Sequence, residues 1–125
     1  MTEPTMAALL ARIDAEADPT AAAALARYFK VGPGEYGEGD VFVGVKLSRL
    51  RALARPYQRV GLPLADLESA LESPLHEHRQ VALILMADRA ARALKAGDAD
   101  TLTDVAHTYL HNTARVNNWD LVDCS

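Results

Sequence analysis

The stretch SPLHEHRQVALILMADRAARALKAGD, residues 73–98, decides the fold class. Ser73-Pro74 reads as a helix cap followed by a first helical residue. The serine oxygen can accept an orphan amide, and proline has no amide of its own to satisfy there. Val81, Ile84, Leu85 and Ala91 then recur at helical spacing to about Lys95, and Gly97-Asp98 breaks the run.

The same pattern extends outward in both directions. A helix from about Thr5 to Ala17 puts Met6, Leu9, Leu10 and Ile13 on one stripe. Asp18-Pro19 stops it and opens a second helix, through Ala21–Ala24 to about Lys30, whose large apolar residues are Leu25, Tyr28 and Phe29. Leu47, Leu50, Leu53 and Ala54 mark a helix that Pro56 ends or kinks. Leu64, Leu67 and Leu71 mark a short one, and Leu102, Val105, Ala106, Tyr109 and Leu110 another to about Thr113. Asn117-Asn118-Trp119-Asp120 looks like a capped helix start with an acid in its first turn. Twenty-three of the 125 residues are alanine, the best helix former, and strand-like alternation is missing. Six or seven helices in short pairs predict an all-α protein, either a compact bundle or an α-solenoid. Pairing 64–72 with 74–95, and 99–113 with the final segment, suggests repeats of HEAT size. Residues 31–44 are the exception: they hold five of the seven glycines and are the one place where non-helical structure is expected.

At 13.5 kDa the chain has the size of one domain, and 50% hydrophobic with 24% charged residues is a globular composition. No apolar window reaches the roughly 18 residues of a membrane span, and the N-terminus lacks the basic run of a secretion signal. The single cysteine, Cys124, excludes an internal disulfide framework and fits a reducing, cytoplasmic setting. The net charge of −4 conceals a strong asymmetry. Residues 1–26 carry −3, residues 27–59 carry +4, and residues 60–125 carry −5. A local field of this kind, rather than the total, is what steers a polyanion.

Four constellations bear on chemistry. Gly32-Pro-Gly-Glu-Tyr-Gly37 has the G-x-G-x-x-G spacing of a dinucleotide loop. A helix precedes it where a strand is needed, Pro33 lacks an amide, and Glu35, Glu38 and Asp40 would repel phosphate, so a nucleotide loop is not expected. His107 and His111 are one helical turn apart, but no further ligand stands at a signature spacing, and no metal is expected. Lys46, Arg49, Arg51, Arg55 and Arg59 place five cations and no anion within 14 residues, which suits either a solvated helix face or a phosphate-contacting edge. Trp119 and Asp123 share a helix face at i and i+4. They suit either a buried tryptophan beside a solvated acid, or an aromatic plate beside a carboxylate that stabilises positive charge on a sugar.

Three segments taken together resemble the DNA alkylation repair enzyme family, the HEAT-like-repeat DNA glycosylases that excise N3- and N7-alkylated purines. They are Ala26-Arg-Tyr-Phe-Lys30 running into residues 32–40, then Phe42-Val-Gly-Val45, and later Asn112 through Asp123. The resemblance covers essentially the whole chain. It implies a right-handed α-α superhelix whose concave face cradles duplex DNA, truncated here to about three helical repeats. It implies that residues 1–125 form the N-terminal part of a single glycosylase domain, since family members are about twice this length. Asp123 is then the catalytic carboxylate, Trp119 and Tyr28 flank the lesion, and Arg27, Lys30, Lys46, Arg49, Arg51, Arg55 and Arg59 contact the DNA backbone. No cofactor or membrane is implied; the partner is double-stranded DNA containing alkylated purines. The chain by itself is expected to be incomplete and poorly active, and open to self-association through an uncapped C-terminal end. The alternative is a non-catalytic helical-repeat module that binds nucleic acid or protein.

Overall fold

A computed structural model describes residues 4–29 and 40–112. All regular elements among them are helical: α1 (Met6–Ala15), α2 (Pro19–Tyr28), α3 (Leu47–Ala54), α4 (Leu64–Leu71), α5 (His76–Ala96) and α6 (Ala99–His111). The expected all-α class holds, and the caps explain most boundaries. Thr5 accepts from the Ala8 amide at 3.1 Å, and Asp18 accepts from Thr20 and Ala21 at 3.0 and 3.3 Å with Pro19 following. Gly97 ends α5 in the left-handed conformation, at φ 71°, which costs a glycine little. Pro56 falls in a 3-10 turn, Arg55–Tyr57, that continues directly from α3.

Four boundaries differ from the sequence expectation, the first being that α1 ends at Ala15, with Glu16 as its C-cap, rather than at Ala17. Helix α2 ends at Tyr28 rather than Lys30, and α6 ends at His111, with Asn112 as its C-cap. Helix α5 begins at His76 rather than at Pro74. Its first amide donates to the Val41 carbonyl at 2.7 Å, so the chain just before the helix is tied to the preceding loop. Ser73 instead accepts from the Leu75 amide at 3.2 Å and meets His78 Nδ1 at 3.0 Å.

Helix α5 is the centre of the molecule. It packs against α3, α4, α6 and α1, and residues 76–86 are buried all round, as expected of a helix enclosed by others. Leu9 and Ile13 of α1, Leu50 and Leu53 of α3, and Leu67 and Leu71 of α4 complete the core around Val81–Met86. Helix α2 buries no residue of its own; only Phe29, at its C-cap, enters the interior. Its position is set at its two ends, by the Asp18 backbone bond and by Phe29, and these lead to the candidate site.

Candidate nucleic-acid interface

Helix α2 ends by presenting Tyr28 outward, 64% exposed, while the next residue, Phe29, turns inward. The two rings meet edge to face, with centroids 4.9 Å apart. Phe29 stacks on Phe42 at 5.7 Å, and Phe42 lies 4.5 Å from the His76 ring. His76 Nδ1 is 2.7 Å from Asp40 Oδ2, and the other Asp40 oxygen accepts from Arg79. An exposed tyrosine therefore stands at the head of an aromatic column founded on a buried His–Asp–Arg cluster. Burial pushes the Asp40 carboxyl up, but the hydrogen bond and charge of His76, with Arg79, outweigh it and hold the group below the usual carboxylate range.

One residue along, Glu77 binds the loop that leads into α3. Its carboxylate accepts from the Val43, Gly44 and Val45 amides at 2.8, 2.8 and 3.1 Å. Successive amides of this kind form an anion-binding concavity, here filled by a side chain of the same chain. Gly44 makes the loop possible: at φ 97° its missing Cβ would stand 2.1 Å from the Asp18 carbonyl oxygen. The Asp18 amide donates to the Val43 carbonyl at 3.0 Å, so the start of α2 is locked onto the same loop. His78 reaches Asp14 of α1 at 2.7 Å. The head of α5 thus fixes α1, α2 and the entry to α3 relative to one another.

Lys46 caps α3 through its backbone only, and its side chain is exposed. Arg51 and Arg55 follow one turn apart, with Arg59 beyond the 3-10 turn; all are exposed and make no ion pair among the described residues. Arg27 is likewise exposed, on the last turn of α2. Arg49 is different. It grips Glu16 with two hydrogen bonds of 2.7 and 2.8 Å, which raises its own pKa and lowers that of Glu16. Its charge is locally compensated, which distinguishes it from the other four cations. Lys30, Trp119 and Asp123 lie outside the described residues, as does the 32–37 glycine segment. His107 and His111 are exposed on α6, and among the described residues no group of three His, Cys, Asp or Glu side chains is placed to hold a metal.

The supports Asp40, His76, Glu77 and Arg79 did not emerge from sequence reasoning. The available signal was the run His76–Gln80, five polar residues heading an apolar helix with no capping side chain before it. Polar residues at a helix start usually face water, so only the fold shows that these do not.

The class defined so far is an all-helical protein with a solvent-facing tyrosine and a row of arginines without ion pairs among the described residues, both held by one central helix. The sequence profile of the DNA alkylation repair enzyme family matches residues 9–125, and the chain belongs to that family. No curated protein and no solved structure matches the chain. Among the described residues, no helix is long and apolar enough to cross a membrane.

Proposed function

We propose that this chain is part of a base-excision DNA glycosylase that hydrolyses the N-glycosidic bond of N3- and N7-alkylated purines in duplex DNA. The family match over residues 9–125 carries this reading. The exposed Tyr28 and the uncompensated Lys46, Arg51, Arg55 and Arg59 support it. The scaffold is a right-handed HEAT-like superhelix of about three repeats, with residues 1–125 forming one part of a single domain. Asp123 is the catalytic carboxylate, Trp119 and Tyr28 flank the lesion, and Arg27, Lys30 and the 46–59 cations contact phosphates.

The chemistry asks little of the protein. An N3- or N7-alkylpurine is already cationic, so when the C1′–N bond breaks its electron pair neutralises the departing base and no general acid is required. The sugar is left as an oxocarbenium-like cation. The Asp123 carboxylate stabilises that charge and takes the proton of the water that adds to C1′. Aromatic faces beside the deoxyribose favour the same charge.

Duplex DNA treated with a methylating agent tests this directly, with protein in excess so that slow turnover is still visible. Release of 3-methyladenine and 7-methylguanine above the spontaneous rate, abolished by Asp123→Asn, is expected. Release at the spontaneous rate, together with equal affinity for methylated and intact duplexes, would refute the glycosylase reading. Binding without lesion preference would instead point to a non-catalytic helical-repeat module.

A further inference from the structure

We propose that a cleft away from α3 binds a backbone phosphate of duplex DNA. It lies between residues 58–62, the C-terminal half of α5 and the first turn of α6. The cleft has a volume of about 260 Å³, and Gln58, Gly61, Arg89, Arg92, Asp98 and Thr101 line it. The inference rests on the DNA-binding part of the proposed glycosylase function.

Arg89 and Arg92 stand three residues apart on α5 and so share a face. One Arg89 nitrogen donates to the Leu62 carbonyl, which fixes the guanidinium in place. Its remaining N–H groups make no other hydrogen bond among the described residues, and a guanidinium carries five such donors in a fork that matches phosphate. The Arg92 Nε faces Asp88 at 3.0 Å, leaving its two outer nitrogens for a ligand. The positive end of α6 opens onto the same cleft through Thr101. Gln58, which lines the cleft, is followed directly in sequence by Arg59, the last cation of the 46–59 row.

Two carboxylates oppose an anion here. Asp88 is offset by Arg92. Asp98 caps α6, accepting from the Thr101 hydroxyl at 2.7 Å and its amide at 3.1 Å; these bonds lower its pKa, so it stays ionised. Asp98 therefore weakens phosphate binding while serving the helix. The two roles separate on substitution, because asparagine caps a helix as well as aspartate but carries no charge.

The test is fluorescence-anisotropy binding of an unmodified duplex over a salt series. The proteins compared are wild type, Arg89→Gln/Arg92→Gln, Arg92→Gln alone, Asp98→Asn, and Lys95→Gln as a neutralised control on the same helix. Folding is monitored by circular dichroism. Loss of one phosphate contact lowers the slope of log affinity against log salt by about 0.9, so between 50 and 200 mM salt wild type should lose about 3.5-fold more affinity than the double variant. Arg92→Gln should weaken binding in the same direction without touching the Arg89–Leu62 bond. Asp98→Asn should tighten binding, and Lys95→Gln should keep the wild-type slope minus any diffuse charge effect shared by all variants. A double variant whose slope equals that of Lys95→Gln overturns the proposal and leaves the glycosylase reading intact. The proposal is overturned in the same way if inorganic phosphate at constant ionic strength perturbs the Arg89 resonances while the duplex slope stays unchanged. Absence of duplex binding by wild type overturns both.

Discussion

Replacing Glu77 by glutamine isolates the contact on which the arrangement of α1, α2 and α3 depends. The wild-type carboxylate is 1% exposed and accepts three backbone amides, two of them on one oxygen. Glutamine has nearly the same shape but one acceptor oxygen. Its best orientation turns that oxygen toward Gly44 and Val45 and sets its side-chain NH2, a donor, against the Val43 N–H. One buried donor then loses its acceptor, at a cost of about 1–3 kcal/mol, and two charge-assisted bonds become neutral ones, at about 1 kcal/mol each. The carboxylate also sits in the first turn of α5, where a negative charge offsets the helix dipole by a further few tenths of a kcal/mol. The sum is about 3–5 kcal/mol, against a total stability of about 5–15 kcal/mol for a domain. Urea unfolding followed by far-UV circular dichroism reads this as a lower midpoint at an unchanged slope. Hydrogen exchange adds a local signature: the Val43, Gly44 and Val45 amides should be slow in wild type and accelerate more than those of α4. A loss below about 1 kcal/mol, or exchange at 43–45 no faster than wild type, refutes the assignment of Glu77 as the organising contact.

Three further outcomes follow from the same geometry. Gly44→Ala forces a Cβ to within 2.1 Å of the Asp18 carbonyl oxygen and 2.9 Å of the Ala22 amide, both backbone; it should cost at least about 3 kcal/mol in thermal or chemical melts, and a near-neutral result contradicts the loop conformation. Because the Asp40 carboxyl titrates lower in the folded chain than its ordinary 3.8, its stabilisation is complete above that value and drains away as pH falls through the folded one. The stability gap between wild type and Asp40→Asn should therefore be widest at neutral pH and close on acidification; a gap constant to about pH 2 argues against an ionised Asp40. With Leu94 and Leu110 exposed at 70% and 65%, light scattering should show a mass that rises with concentration, and a constant monomer mass would count against self-association.

The helices were legible because their signals are local. Asp18-Pro19, Gly97-Asp98 and the leucine spacings of α3 and α4 each fix an element from a few neighbouring residues. The cationic row was equally plain, but the pairing of Arg49 with Glu16 was not, because the partners are 33 residues apart and nothing in either neighbourhood marks the other. The start of α5 is illegible for a related reason. Ser73-Pro74 has the composition of a cap, yet the first helical amide bonds to Val41, a residue brought alongside only by the tertiary fold.

The least legible part, the polar head of α5, explains why the rest holds together. Helix α2 has no fully buried residue and packs along its length only through half-buried side chains such as Leu25, so hydrophobic packing holds its angle weakly. Its two ends are instead fastened through α5: the N-terminus by Asp18 on the Glu77-bound loop, and the C-terminus by Phe29 on the Phe42–His76 column. Directional polar bonds specify an orientation more sharply than apolar contact does, and their cost in desolvation is met here by near-complete pairing. The role proposed for Tyr28, a surface tyrosine set against DNA at a defined angle, calls for that kind of support. The burial of His76–Gln80, which contributes little to a hydrophobic core, follows from the need to hold α2 where packing alone would leave it free to pivot.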